Sequence, residues 1–437
     1  YGDRRGVASI WIKDDTLDLE LRVEAADALE NACDDFPSET IEKFDTVFGI
    51  LAMIMSQDAP PDPPPKILIP GEEVDPRIAG LNEYRIKQNW HILKQRLTNC
   101  LQSLGKSLPD RVYETVAGCV GQPSGSVGDE LRATCMTMLG TIGKRFEFRA
   151  KVLPMIMKGL MNYESTFVRA KTIDATGEMF RHSTINPPAN VVDVINVHLR
   201  DQYNMVHQAA VAIVSRNADW FTDIQAFDAV RALSVHLKVY KSEPFQIDDV
   251  CDAILALASR HPQLMNFAVR LVNSAVPTGE PMADNKILDQ LVWRCPSDSE
   301  VSATIASIVG QYLASVPSDR MNGYEYERER MFDWLYNMPP KIYCTVAEVL
   351  FSHALQLAKR DPWEVCRFAC LFSMHGDFSK EAAVLEEAGL AIPDEPRYES
   401  NRKDLLAMAS MAFGNASLVV SDTGAANAHF MKAGELL

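Results

Sequence analysis

Apolar positions along this chain recur with the three- and four-residue spacing of amphipathic helices. The clearest example is the apolar run 152–160, which leads through a polar turn at 161–165 into a second apolar-periodic run near Val168. Together they form a helical hairpin that cannot bury both of its apolar faces by itself. Such hairpins are stable when they stack on copies of themselves, so the pattern predicts a repeat protein.

The second helix of this hairpin opens with an apolar residue followed by a basic one, and this dipeptide returns at intervals of 37 and 38 residues. The three copies are Leu131-Arg132, Val168-Arg169 and Val206-His207. Leucine-proline in the first helix, here Leu153-Pro154, and valine-arginine in the second resemble the HEAT repeat, whose period is about 40 residues. The resemblance covers roughly residues 110–220, and Leu21-Arg22 is a candidate fourth copy.

Small residues near the C-terminus follow a different spacing, with successive separations of 7, 9, 3 and 5 residues. They are Ala369, Gly376, Leu385, Ala388 and Pro393. A second set consists of Gly414, Ala426, Phe430 and Ala433. Both sets resemble the tetratricopeptide repeat, which has small residues in its first helix and an Ala-x3-Phe spacing in its second. Glu381 departs from this pattern because it stands where the family has an alanine.

These patterns predict an all-α fold, a right-handed α-solenoid (superhelix) of stacked helical hairpins, HEAT-like first and tetratricopeptide-like at the end. We expect five parts along the chain. They are an acidic N-terminal helical region (1–56), a proline-rich extended loop (57–80), HEAT-like repeats (81–220), helices without a repeat signature (221–340) and tetratricopeptide-like repeats (341–437). The first residue is not methionine and the last lies within a repeat helix, so we expect a fragment of a larger multidomain protein with further repeats.

Composition indicates where such a protein works. Hydrophobic residues make up 47% of the chain, yet the longest uncharged apolar stretch, 47–55, is too short to span a bilayer. The nine cysteines contain no CxxC pair, which favours a reducing, cytoplasmic location. Cys366 and Cys370 would share a helical face, either as a metal or redox pair or, as we favour, as small buried residues.

Motifs of common enzyme and metal sites are absent from the sequence. It contains no His-Glu-x-x-His zinc helix, no Gly-x-Ser-x-Gly elbow and no dinucleotide or calcium-binding loop. We therefore predict a non-catalytic protein without catalytic residues, metal or cofactor. A cryptic hydrolase with a cysteine or serine nucleophile remains an alternative, because catalytic triads are defined by geometry rather than by sequence order.

Charge is distributed unevenly. The net charge is −16, but residues 83–182 carry fifteen lysines and arginines against nine carboxylates. Eight of these cations fall in two successive repeats and could align into a ridge: Lys144, Arg145, Arg149, Lys151, Lys158, Arg169, Lys171 and Arg181. One interpretation is a solvated face with ion pairs, including Arg169 with Asp174 or Glu178. The other is a groove for an acidic peptide or a nucleic-acid backbone.

A second candidate binding region mixes aromatic and charged residues on one predicted helix. Its members are Tyr324, Tyr326, Arg330 and Trp334. Aromatic residues and arginine are frequent anchors of protein interfaces. Amphipathic packing explains their spacing equally well.

Both repeat families serve mainly as scaffolds and as protein- or peptide-binding modules. The resemblance therefore implies a protein–protein interaction scaffold or sensor arm that binds a protein or peptide partner, with an acidic partner as one option, and no membrane. This step is an analogy from fold to function. The first alternative is a nucleic-acid-binding module that uses the basic segment 83–182, and the second is the cryptic hydrolase.

Overall fold

The structure is a computed structural model that describes most of the chain. It covers residues 19–35, 44–55, 76–122, 128–161, 164–181, 183–239, 244–276, 281–299, 301–315, 325–361 and 364–437, with Ile12 and Pro37. These residues are mainly helical and contain no strand. The all-α prediction is thereby confirmed for the part of the chain that the structure describes.

The helices are numbered here in chain order. Their bounds are α1 Leu19–Asp35, α2 Phe44–Met55, α3 Pro76–Ser107, α4 Pro109–Gly121, α5 Asp129–Ile142, α6 Phe146–Gly159, α7 Thr166–Phe180, α8 Ala189–His198, α9 Asn204–Arg216, α10 Asp223–Val239, α11 Pro244–Arg260, α12 Met265–Ala275, α13 Pro281–Arg294, α14 Ser302–Ser315, α15 Glu325–Tyr336, α16 Pro340–Arg360, α17 Val365–Met374, α18 Phe378–Ala391, α19 Glu399–Val419 and α20 Thr423–Leu436.

The chain divides into two compact units, residues 1–213 and residues 214–437. In the first unit α3, α5 and α7 pack side by side, while α4 packs on α5 and on α6. In the second unit α11, α13, α15 and α17 form one layer, and α14, α16 and α18 form another. Many of these helices thus contact their neighbour in sequence, the helix after that, or both. This is the arrangement of an α-solenoid built from stacked hairpins.

Local sequence sets where several helices begin and end. Ser165 caps α7 by accepting a hydrogen bond from the backbone N–H of Val168 at 3.3 Å. Asp377 caps α18 in the same way, and Gly376 just before it has φ +74°, a left-handed conformation that glycine adopts without strain. The hairpin predicted around 152–168 is therefore present as α6 and α7, separated by a capped turn.

The extended loop predicted over 57–80 needs a correction at its end. Helix α3 begins at Pro76, so residues 76–80 are helical, while 57–75 lie outside the described residues. Proline is tolerated at the first helical position, where its missing N–H would have no partner within the helix. The last proline of the segment, Pro76, is therefore the first residue of the helix and not part of the extended loop.

Very close contact between α5 and α7 depends on glycine. A Cβ added to Gly140 would lie 2.6 Å from the backbone oxygen of Ala175 and 2.9 Å from its Cα atom. The contact is backbone against backbone, so no side-chain rotation can relieve the clash. A similar approach joins the last helix pair, where Gly414 of α19 faces the ring of Phe430 in α20.

The basic residue of the repeat dipeptide connects one repeat to the next. Arg132 is completely buried and donates from Nε and Nη2 to the two carboxylate oxygens of Glu164, at 2.9 and 2.6 Å. Arg169 stands in the same place one repeat later and pairs with Asp201 at 3.1 Å. In both pairs the partners are 32 residues apart, and His207 of the third copy is also buried. The dipeptide thus has a structural role in stacking.

Gly140→Ala should destabilise the protein by about 1–3 kcal/mol, because the added methyl group collides with a backbone that cannot move aside. The matched control is Gly118→Ala in α4, where a Cβ would meet nothing within 4 Å. That change should stabilise the helix by up to about 1 kcal/mol. Chemical denaturation of both variants measures the difference, and equal effects at the two sites would contradict the assigned contact.

Glu381 occupies the predicted alanine position of the first tetratricopeptide-like pair, in α18. Its Oε2 atom is buried and makes no hydrogen bond. Burial raises the pKa of this carboxyl group, and a hydrogen bond from Ser373 opposes the shift only partly. A carboxyl whose folded-state pKa lies above its unfolded value favours folding when protonated, and this contribution is lost as the pH rises through the folded-state pKa.

Glu381→Gln should therefore raise the midpoint of thermal unfolding more at about pH 8 than at about pH 5, relative to the unsubstituted protein. The control Glu435→Gln changes an exposed side chain on α20 and should show no such pH-dependent difference. Melting curves at the two pH values measure the effect. A larger gain for Glu381→Gln at the lower pH would refute the assignment.

Candidate functional site

Several cations of the predicted basic ridge are engaged with carboxylates. Lys144, which follows α5, and Arg181, which follows α7, both contact Glu178, Arg181 at 3.3 Å. Lys171 lies 3.5 Å from Asp174, one turn along α7. All three of these cations are at least one-third exposed. The part of the ridge they form is therefore a solvated surface with local charge compensation.

Arg169 differs from these residues because it is buried. Its carboxylate partner is Asp201 of the next repeat, at 3.1 Å, and Nη1 also donates to the backbone oxygen of Glu164 at 3.2 Å. The expected partners Asp174 and Glu178 are instead occupied by Lys171 and Lys144. A side chain at the start of α7 points into the stack between repeats, whereas those partners lie further along the same helix.

Lys158 closes the end of a neighbouring helix. Its Nζ atom donates to the backbone oxygens at the C-terminus of α4, at 2.9 Å to Gly121 and 3.1 Å to both Val120 and Gln122. These carbonyls lack partners within the helix, and a cation there also complements the helix dipole. Lys151 lies 5.4 Å from the ring of Phe148. Neither contact uses a carboxylate.

Cations gather where three stacked helices end. This cationic end cluster consists of Lys106, Lys144, Arg145, Arg149 and Arg181. Lys106, Lys144 and Arg181 lie at or just beyond the C-terminal ends of α3, α5 and α7, whereas Arg145 precedes α6 and Arg149 lies near its start. Arg145 donates to the backbone oxygen of Lys106, and Arg149 donates to the hydroxyl of Ser183 at 3.0 Å. The structure thus brings together residues from three successive repeats, of which sequence reasoning had omitted Lys106.

Glu178 lies among these cations. Burial alone would raise its pKa, but the hydrogen bond and charge of Lys144, with the charges of Arg181 and Lys106, outweigh that effect and lower the pKa. The carboxylate therefore stays ionised to a lower pH than an isolated glutamate. The cations of the cluster therefore stabilise the ionised form of the one carboxylate that lies among them.

The aromatic candidates separate into exposed and buried residues. Trp334 is buried, and its Nε1 donates to the backbone oxygen of Cys295 at 2.8 Å. Tyr326 is 69% exposed, and the guanidinium carbon of Arg330 lies 5.6 Å from its ring centroid. Tyr324 lies outside the described residues. Of the predicted set, Tyr326 and Arg330 therefore form an accessible aromatic–cation pair, whereas Trp334 belongs to the packing.

A second exposed pair repeats this arrangement one helix earlier in the same layer. Trp293 is 62% exposed, and the guanidinium carbon of Arg294 lies 4.8 Å from its ring centroid. Arg294 is held by Asp252 of α11 at 2.7 Å, just as Arg330 is held by Asp289 of α13 at 3.2 Å. We call Trp293 with Arg294, and Tyr326 with Arg330, the aromatic–arginine pairs.

Sequence reasoning missed Trp293 and Arg294. The only signal was a tryptophan–arginine dipeptide in an amphipathic helix. Its exposure depends on how α13 is rotated within the layer, and the periodicity of one helix does not decide that rotation.

The cysteines bear on the hydrolase alternative. In the first unit the pKa of the Cys119 thiol is lowered, first by a hydrogen bond with Cys135 and also by the charge of Arg132, against the effect of burial. Its hydrogen-bond partner is thus a second thiol and not a histidine. In the second unit burial raises the pKa of Cys295 to about 12.

The expectation that Cys366 and Cys370 are both buried is wrong. Cys370 is exposed and Cys366 is partly exposed. Helix α17 buries the face that carries Phe368 and Phe372. Cys366 and Cys370 therefore lie on the opposite, outward face of α17.

Two general features follow from the described part of the chain. None of the helices there combines the length and apolar character needed to cross a membrane. The described residues also contain no group of three or more histidine, cysteine, aspartate or glutamate side chains placed to hold a metal ion.

Comparison with known proteins identifies the fold. No protein-family profile and no curated protein matches the sequence. A solved structure of a Kap121p variant aligns with 99% of this chain and 46% of its own chain, with a TM-score of 0.54 and 11% identity. Kap121p bound to RanGTP has a TM-score of 0.48 at 11% identity over 99% of this chain and 52% of its own. Kap121p bound to Pho4p has a TM-score of 0.47 at 9% identity over 99% of this chain and 55% of its own.

This chain spans about half the length of the Kap121p structures that it matches. At 11% identity the similarity to the Kap121p variant concerns the fold alone. It agrees with the HEAT-like α-solenoid predicted from the repeat dipeptides.

Arg169→Ala should destabilise the protein by about 3 kcal/mol, because it removes the arginine from a buried ion pair and leaves the Asp201 carboxylate with only His198 and the Tyr203 backbone N–H as partners. Lys171→Ala, two residues away on the same helix, removes an exposed pair and should change stability by less than about 1 kcal/mol. Urea unfolding of both variants tests the contrast. Similar losses for both would mean that Arg169 does not connect the repeats.

Proposed function

We propose that this chain is a non-catalytic protein-interaction scaffold, an arm of a larger protein, that binds a protein or peptide partner in the cytoplasm. The observation that carries the proposal is the presence of two aromatic–arginine pairs on adjacent helices, α13 and α15. Each presents a largely exposed ring beside an arginine held by a carboxylate. The repeat spacing of the solenoid brings them to the same layer.

The residue types in these pairs, and the fact that their arginine side chains are already held in place, favour binding. Tryptophan, tyrosine and arginine are the residue types most enriched at energetic hot spots of protein interfaces. Binding normally costs about 0.5–1.5 kcal/mol for each flexible side chain that becomes ordered. Arg294 and Arg330 are already held by Asp252 and Asp289, so part of this ordering is completed before a partner arrives.

The fold adds general support. A solenoid exposes a long surface relative to its mass, and the Kap121p variant with the same fold belongs to a protein that has been crystallised with protein partners. Those partners concern Kap121p itself. For this chain the comparison supports only the shared architecture and does not indicate which partner binds.

Nucleic-acid binding is the less favoured alternative. The net charge of −16 repels a phosphate backbone at long range. Several cations of the basic ridge are also occupied, Arg169 in the stack and Lys158 at a helix end. The hydrolase alternative has no supporting observation beyond the lowered pKa of Cys119, a thiol that is 8% exposed.

The double variant Trp293→Ala/Tyr326→Ala should lose a protein partner that the unsubstituted chain retains. Truncation of hot-spot residues costs about 2 kcal/mol or more, which corresponds to about thirtyfold weaker binding. The measurement is retention of proteins from a native cell extract on the immobilised chain, followed by titration of the retained protein against each variant.

The control for this experiment is Phe146→Ala/Ile224→Ala, which removes two equally exposed apolar side chains, 72% and 77% exposed, on α6 and α10. It should keep the partner. Equal binding by all three proteins would exclude the aromatic–arginine pairs as the interface. Stoichiometric labelling of one serine by a broad serine-reactive probe, or of a buried cysteine by a broad thiol-reactive probe, would instead favour the hydrolase. Labelling of the exposed Cys344 or Cys370 would not.

A further inference from the structure

The cationic end cluster lies in the first unit and is separate from the aromatic–arginine pairs. Its five cations come from the C-terminal ends of α3, α5 and α7, which pack side by side, and from the start of α6. Lys144 and Arg181 contact opposite oxygens of Glu178, and Lys106 is close enough to influence its ionisation. Arg145 and Arg149 are tied to backbone oxygens of Lys106 and Lys144 and so remain in the same place.

Basic residues at helix C-termini have an ordinary structural use, because each helix end carries about −0.5 of an elementary charge. Three helix ends together carry about −1.5 elementary charges, which is less than the five positive charges of the cluster. Glu178 offsets one more, and Glu147 in the first turn of α6 offsets another if it is counted. The N-terminus of α6, which Arg145 caps, adds about +0.5. A positive excess of about +2 therefore remains after helix dipoles and both carboxylates are considered. Capping alone does not account for the cluster.

The position of Glu178 shows which ligand chemistry the cluster suits. Its carboxylate is bracketed by cations from two different repeats, and it is about one-third exposed. A carboxylate from outside can reach the same cations from solvent, and in the bound state it would share or replace the contacts of Glu178. The internal glutamate thus marks a carboxylate-binding position and partly occupies it.

We infer that the cationic end cluster is a docking surface for an acidic peptide segment, with Glu178 as an internal competitor for the same cations. This inference rests on the proposed scaffold function and specifies one partner chemistry for it. An acidic peptide fits better than a nucleic acid, because the rest of the chain is strongly acidic and would repel an extended phosphate backbone beyond the cluster.

The test uses the intact chain and a fluorescein-labelled peptide of alternating glutamate and serine, with fluorescence anisotropy as the readout. Lys144→Glu/Arg145→Glu should weaken binding by about tenfold or more, since both changes replace attraction by repulsion. Lys171→Glu/Lys359→Glu alters the net charge equally at exposed sites outside the cluster and should leave binding unchanged. Binding should also weaken as salt is raised.

A second pair of variants tests the role of Glu178. Glu178→Gln keeps the shape of the side chain and releases Lys144 and Arg181, so the peptide should bind about threefold more tightly or better. Asp174→Asn makes the same charge change one turn earlier on α7, beside Lys171, and should not alter the affinity. Thermal melting of each variant confirms that it is folded.

Several results would overturn the inference. They are absence of peptide binding, equal binding by the Lys144→Glu/Arg145→Glu variant, and weaker binding by Glu178→Gln. Tighter binding of a single-stranded oligothymidylate, with the same response to the variants, would assign the cluster to nucleic acid instead. Loss of the scaffold function is recognised separately, because the Trp293→Ala/Tyr326→Ala experiment concerns another surface in the second unit.

Discussion

Buried arginine–carboxylate pairs between successive repeats are the interactions on which the HEAT-like stack of the first unit depends. Arg132 with Glu164 and Arg169 with Asp201 connect repeats at the same position. A buried ion pair is not by itself a large source of stability, because desolvation offsets most of the attraction. Its consequence is specificity. A repeat that is misplaced by one helical turn leaves a charge buried without its partner, so the pairs select one register of stacking.

The second unit also has arginine–carboxylate pairs between neighbouring helices, but these lie nearer its surface. Asp252 holds Arg294, and Asp289 holds Arg330, each across neighbouring helices of one layer. Because these pairs are partly exposed, they contribute less to stability than the buried ones. They do hold arginine side chains beside Trp293 and Tyr326. In the proposed interface, residues that connect neighbouring repeats are therefore also the residues that would contact a partner.

Close packing limits which residues each repeat can use. Gly140 allows the backbones of α5 and α7 to touch, and α3 packs against the other side of this pair through its contact with α5. Cations that follow the helix ends then gather around Glu178 although they are far apart in sequence. The same packing sends Arg169 into the stack and leaves Lys171 outside. Two basic residues on one helix therefore have different roles.

The sequence by itself determined the helical hairpins and their stacking, because apolar periodicity and the Leu131-Arg132 and Val168-Arg169 dipeptides are local and recur at a fixed interval. It also singled out Tyr326 and Arg330 as candidate binding residues, which remains a prediction. Only the tertiary structure decided that Trp293 is exposed, that Trp334 is buried, and that Lys106 joins Lys144. The physical reason is that rotation of a helix within its layer, and proximity between repeats, depend on contacts between residues about 30–45 positions apart.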